Sequence, residues 1–256
     1  MILNALPDLS EVRPLLKAYA HNNGEHPTPL IDALRLGYNH IEVDVCLIDK
    51  QLYVYHDHPK KQDSNRTLAN LYLDPLFKLQ EHNHGFIYPQ HKAPLILMID
   101  IKTDGAATYT KLKEVLTPYQ SMLSHWENNV ESTKAVNVII SGNRPIQLVA
   151  QDNLRYVQVD GRLKDLPQHY PSILMPTISD NSLRVFGFLA LFPILLGKRS
   201  MKKLQALSEE AHRQNKTLRL WNTPESESLW DQLIASGVDL VNTDDLERLS
   251  RYFLNV

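Results

Sequence analysis

Apolar residues recur along this chain in short alternating runs, and between the runs they fall at three- and four-residue steps. The alternating runs predict strands at 17–22 (KAYAHN), 40–48 (HIEVDVCLI), 52–56 (LYVYH), 94–102 (PLILMIDIK) and 136–141 (VNVIIS). Further strands are predicted at 156–160 (YVQVD), 172–179 (SILMPTIS), 217–222 (TLRLWN) and 239–243 (DLVNT). Helical spacing marks several of the intervals. TPLIDALRLG closes on Gly37 as a C-cap, and SMKKLQALSEEAHRQNK and SESLWDQLIASG each carry one apolar stripe.

Strands that alternate with helices argue for a parallel sheet covered by helices. Eight or nine strands in 256 residues fit an α/β fold closed as a TIM-type (β/α)8 barrel, with LYVYH as an extra hairpin arm or part of an irregular second unit. An open doubly wound sheet is the competitor. It is disfavoured because no Gly-rich phosphate loop follows a strand and the chain has only nine glycines. With no internal repeat, low-complexity tract or Gly/Ser linker, residues 1–256 read as a single domain.

The strand at 40–48 poses a problem of charge. Ile41, Val43, Val45 and Leu47 share one side, which puts Glu42 and Asp44 together on the other, about 7 Å apart. If that side faces the core, either a positive group sits between them or one holds a proton. If it faces water, the pair needs no partner.

Active sites of such barrels lie at the C-terminal ends of the strands. The polar residues predicted there are His21, Glu42, Asp44, His56, Asp100, Lys102, Trp221 and Asn242. Glu42, Asp44 and Asp100 suit one hard divalent cation, Mg2+ or Ca2+, which prefers oxygen ligands. Lys102 offers a contact for an anionic substrate group, and His21 and His56 are the natural acid and base. Plainer readings stand beside these: a surface histidine, an exposed Asp100–Lys102 ion pair, a Trp221 that packs in the core. His82, His84 and His91 lack the spacing of a metal finger and read as loop.

Composition narrows the partners. A formal charge of −2 provides no basic field for nucleic acid. The single cysteine, Cys46, has no intrachain partner for a disulfide. The N-terminus carries no export signal, which fits either a cytoplasmic protein or one exported with its signal removed. The apolar run VFGFLALFPILLG, Val185–Gly197, is too short for a transmembrane span of about 20 residues. It reads as a core helix or packed loop, or as an exposed lip for peripheral lipid contact, flanked by Arg184, Lys198 and Arg199.

The succession AHNN (20–23), GYNHIEVDV (37–45), LYVYHD (52–57) and LMIDIKTDG (97–105) resembles the glycerophosphodiester phosphodiesterase superfamily of PLC-like phosphodiesterases. SNRTLANLYLDPL (64–76), IISGNRP (139–145), VDGRL (159–163), ISDN (178–181) and LVNTDDLERL (240–249) are similar to its altered-inheritance-of-mitochondria protein 6 branch. The resemblance covers nearly the full chain. It implies a TIM-type barrel that cleaves a small phosphodiester or phospholipid with a divalent cation. In it, His21 and His56 would be the catalytic pair, Glu42, Asp44 and Asp100 the metal ligands, and Lys102 a phosphate contact. Asp100-x-Lys102, Trp221 and Asn242 also resemble the more distant sphingomyelinase D type.

The chain departs from these patterns at three places. Asn22-Asn23 stands where the superfamily has Arg-Gly, the third acid is Asp100 instead of Glu, and Asn23 and Gly24 differ from the branch. The resemblance implies two-histidine cleavage, either by direct hydrolysis or through a cyclic phosphate formed by a neighbouring substrate hydroxyl. The alternative is a catalytically silent barrel that binds phosphorylated lipids. A metal-dependent amidohydrolase would want a His-x-His on its first strand, which AHNN lacks.

Overall fold

The computed structural model describes residues 6–191 and 196–255. Its strands in chain order are β1 (Leu15–Ala20), β2 (Tyr38–Ile48), β3 (Gln51–Val54), β4 (Leu95–Ile101), β5 (His125–Glu127) and β6 (Val130–Ser132). They continue with β7 (Val136–Gly142), β8 (Leu154–Arg155), β9 (Val157–Gly161), β10 (Thr177–Asn181), β11 (Thr217–Trp221) and β12 (Leu240–Thr243). The helices are α1 (Ile31–Arg35), α2 (Asp74–His82), α3 (Gly105–Leu116), α4 (Ile146–Gln151), α5 (Ser182–Phe186), α6 (Lys198–Arg213), α7 (Glu227–Ala235) and α8 (Leu246–Leu254).

Eight of these strands run parallel in the order β1-β12-β11-β10-β9-β7-β4-β2, and β1 pairs with β2 to close the barrel. Strand β3 turns back antiparallel on the end of β2 through Asp49 and Lys50, both at positive φ as a two-residue hairpin turn demands. It is the arm expected from LYVYH. Strands β5, β6 and β8 form a small antiparallel sheet that the alternation did not predict, each being two or three residues long.

Period-2 alternation builds two cores. The outward aliphatics, among them Val43, Val45, Leu97, Ile99, Val138 and Ile140, are fully buried under the helices. Inside the barrel Tyr19, Met98, Ile139 and Leu240 form a separate small cluster. The remaining inward positions toward the C-terminal mouth are polar. Gly37 ends α1 at φ +88, and a Cβ there would lie 2.4 Å from Arg13 O.

Three boundaries differ from expectation. The stretch at 172–179 is strand only from Thr177, because Pro176 lacks an N–H for the ladder and Leu174 and Met175 instead turn back onto Pro171 O. Strand β1 ends at Ala20, so His21 is the first residue beyond it. Strand β3 ends at Val54, which leaves His56 in the following loop.

The apolar segment after β10 divides between its two readings. Val185, Phe186, Ala190 and Leu196 are buried, whereas Phe188 is 72% exposed and Leu189 40%. Residues 192–195 of that segment lie outside the described residues. No helix among the described residues is long and apolar enough to cross a membrane.

Candidate active site

Glu42 and Asp44 face into the barrel, each 2% exposed. Parallel register sets Asp44 beside Asp100 on β4, and one oxygen from each of Glu42, Asp44 and Asp100 lies within 4.8 Å of the others. The inward reading of the strand is therefore the right one, and the structure shows what offsets part of the charge.

Two protein cations do so. Arg219, buried on β11, donates from Nη1 to Glu42 Oε2 at 3.0 Å and to Asn242 Oδ1 at 2.9 Å. Lys102 Nζ, at the mouth, lies 2.9 Å from Asp44 Oδ1 and 3.4 Å from Asp100 Oδ2. Three carboxylates against two cations leave an excess of negative charge at the cluster. Burial would raise Glu42, but Arg219, then His21 and Tyr19, hold it below the ordinary carboxylate range. Burial pushes Asp44 up to about 6 despite Lys102, with Glu42 adding to the rise. Asp100 is raised too, by burial first and by Glu42 next.

Tyr19 completes the seat of Glu42. Its hydroxyl donates to Oε2 at 2.5 Å, and its ring lies 3.9 Å from the Arg219 guanidinium carbon. With Oε2 so engaged, Oε1 is the free oxygen, 3.8 Å from His21 Nε2. The other His21 nitrogen, Nδ1, is 2.8 Å from Asp244 Oδ1. The pairing follows from topology: β1 and β12 are neighbours with Ala20 opposite Thr243, so the next residues of the two strands meet. Burial alone would lower His21, yet Asp244 and Glu42 leave it above the ordinary imidazole value.

The remaining predicted residues are less closely gathered. His56 is half exposed, with Nδ1 3.4 Å from Asp57 Oδ1 and no hydrogen bond or ion pair to the acid cluster among the described residues. Its loop is nevertheless tied to the mouth, because Tyr55 N donates to Asp44 O at 3.2 Å. Trp221 ends β11, part-exposed, in register with Asn181. Asn242 is buried, and its side-chain oxygen is engaged by Arg219.

Sequence reasoning passed over Arg219, Tyr19 and Asp244. Arg219 alternates with Leu218 and Leu220 just as Glu42 alternates with its aliphatics, so the same inward-facing signal was present. Asp244 directly follows the strand that carries Asn242.

The cluster fits a hard cation. Its donors are all carboxylate oxygens, and Asp44 Oδ1 is buried without a hydrogen bond of good geometry, Lys102 being an ion-pair neighbour. Gly142, in register one strand on, is at φ +66, and a Cβ there would stand 2.0 Å from Asp100 Oδ1. Glycine at this position leaves the carboxylate its place.

The comparisons place this parallel eight-stranded barrel, with its acidic, histidine-bearing mouth, among phosphodiesterases. The model of the AIM6-like phosphodiesterase domain matches residues 8–160, and that of the glycerophosphoryl diester phosphodiesterase family matches residues 217–247. The chain belongs to the AIM6-like phosphodiesterase domain family. The altered inheritance of mitochondria protein 6 homolog of Arthroderma benhamiae is 30% identical over 247 residues, covering 86% of this chain and 76% of its own. Altered inheritance of mitochondria protein 6 of Eremothecium gossypii is 28% identical, over 94% of this chain and 70% of its own.

Solved structures share the fold. A glycerophosphodiester phosphodiesterase from Parabacteroides distasonis superposes with a TM-score of 0.51 at 15% identity, over 94% of both chains. An Oleispira antarctica phosphodiesterase in complex with its product sn-glycerol-3-phosphate superposes with a TM-score of 0.52 at 14% identity, over 93% of this chain and 96% of that one.

Proposed function

We propose that this protein is a divalent-cation-dependent phosphodiesterase acting on a glycerophosphodiester or a (lyso)phospholipid-like substrate. The observation that carries this reading is the convergence of Glu42, Asp44 and Asp100 within 4.8 Å beside an oriented His21. Glu42 Oε1, Asp44 and Asp100 would hold one Mg2+ or Ca2+, which when bound lowers the charge penalty at a phosphate oxygen.

The chain's own groups supply the proton transfers. Asp244 fixes the His21 ring through Nδ1, which leaves Nε2 as the nitrogen that takes the proton of the attacking hydroxyl. His56, on the loop tied to β2, protonates the leaving oxygen. Each transfer contributes about 10²–10⁴-fold. Lys102 neutralises phosphate charge, and Trp221 borders the substrate. A neighbouring substrate hydroxyl as nucleophile would give a cyclic phosphate first. The product bound to the Oleispira antarctica protein supports a small phosphodiester as the substrate class.

Phosphorus NMR tests the reading. A panel of glycerophosphodiesters, lysophospholipids and sphingomyelin is incubated with Mg2+, Ca2+ or chelator, with His21→Ala alongside. A new phosphorus signal that requires both cation and His21 is expected, and its shift separates cyclic from linear product. Silence across the panel, with retained binding of the phospholipids, would favour a barrel that binds without turnover.

A further inference from the structure

The acid cluster continues into a cationic flank. Cross-strand register aligns Asp44 with Asp100 and Asp100 with Ser141, so three inward-facing residues form one row at the mouth. One strand further on, Arg162 follows the end of β9, and its Nη2 donates to Ser141 Oγ at 3.0 Å. Its Nη1 pairs with Asp160 Oδ2 and donates to Gly161 O at 3.1 Å. Asp160 is fully buried and also accepts from Ser141 Oγ at 2.9 Å and from Ser179 Oγ. The guanidinium is thus clamped from below and from the Ser141 side.

Those contacts spend three of the five N–H donors of an arginine. Nε–H and the second Nη2 hydrogen have no partner among the described residues, and 16% of the side chain is exposed. Strands lie about 4.8 Å apart, so β9 stands two spacings, about 10 Å, from β4, and the Arg162 side chain reaches back across that gap to Ser141 on the strand between them. Lys102 flanks the same carboxylate from the β2 side. Donors left over after the Asp160, Gly161 and Ser141 contacts are available to a ligand where the side chain is exposed.

We propose that Arg162 is a phosphate-binding residue, holding a non-bridging oxygen of the substrate or product phosphate from the β9 side while Lys102 holds the β2 side. This inference rests on the phosphodiesterase reading above. Two flanking cations favour a doubly charged phosphomonoester over a singly charged diester, so the linear product should bind more tightly than its substrate.

The test is calorimetric titration of inorganic phosphate in the presence of Mg2+, on wild type, Arg162→Gln and Arg162→Lys. Steady-state kinetics on a diester the wild type cleaves run alongside. Arg162→Lys keeps a charge opposite Asp160 but loses the fork, and it decides the matter if Arg162→Gln fails to fold. Phosphate affinity is expected to fall at least about 10-fold in both, with KM raised more than kcat is lowered and Mg2+ affinity unchanged. A folded Arg162→Lys that binds phosphate as the wild type does would overturn the assignment and leave Arg162 as the counter-ion of Asp160. A wild type that neither binds phosphate nor cleaves any diester would overturn the phosphodiesterase reading itself, and this one with it.

Discussion

Arg219 holds Glu42 from beneath. The 3.0 Å contact joins two side chains each only 3% exposed, on strands that lie on opposite sides of β1 and β12 in the barrel order. Neither charge is stable in that interior without the other. Breaking such a pair by removing one partner costs about 3–5 kcal/mol, because the survivor is left buried and uncompensated. Arg219→Leu is therefore expected to lose that much stability in urea denaturation, and a loss under about 1 kcal/mol would show that the pair is not the anchor described here.

Tyr19 acts on the same carboxylate by hydrogen bonding. Tyr19→Phe keeps the ring against Arg219 but removes the donor to Glu42 Oε2. Groups that orient a metal ligand typically change affinity 10- to 100-fold. Calorimetry with Mg2+ and Ca2+ is expected to show at least about a 10-fold weaker Kd with the melting temperature little changed.

Gly142 tests the site from the neighbouring strand. A methyl group there meets Asp100 Oδ1 at 2.0 Å and Ile101 O at 2.4 Å, at a positive φ that a side chain resists. Gly142→Ala is expected to destabilise the fold by at least about 1 kcal/mol and to abolish cation binding by displacing Asp100. Wild-type cation affinity in this variant would contradict the placement of Asp100.

His40 gives stability a dependence on pH. It faces the barrel interior two residues before Glu42, its Nδ1 is buried without a hydrogen-bond partner, and burial, then Arg219, lowers its pKa to about 4 from 6.5. The native state thus resists a proton that the unfolded chain accepts. Its contribution is complete above about pH 6.5, falls away as pH drops toward 4, and changes no further below that. At about 1.4 kcal/mol per unit the full effect is about 3.5 kcal/mol. Denaturation curves of wild type and His40→Gln between pH 4 and 6.5 are expected to converge as pH falls. A constant gap would reject the argument.

The exposed part of the apolar segment makes a separate prediction. Phe188 and Leu189 are exposed between buried Phe186 and Ala190. If the segment meets lipid, Phe188→Ser with Leu189→Ser raises KM for micellar substrates and leaves soluble ones unchanged. Equal effects on both would assign the segment to packing.

Alternation carried most of the fold into the sequence. The polar faces of β2 and β4 were legible because Glu42, Asp44 and Asp100 break an aliphatic period of two, and burial in the barrel decided that they look inward. The short strands β5, β6 and β8 were not, because two or three residues are too few to show a period. Prolines moved one boundary: Pro176 delays β10 by removing a ladder donor.

What the sequence determined by itself was therefore local: which residues form strands, which face of each strand is polar, and which chemical groups stand near strand ends. Tertiary structure decided which of those groups meet. Arg219 is 177 residues from Glu42, and Asp244 is 223 from His21. No local pattern encodes such pairings, since they exist only once β1 closes between β2 and β12. Barrel closure converts inward-facing polar positions, distant along the chain, into one cluster of paired charges, and the low dielectric inside makes each partner necessary to the other.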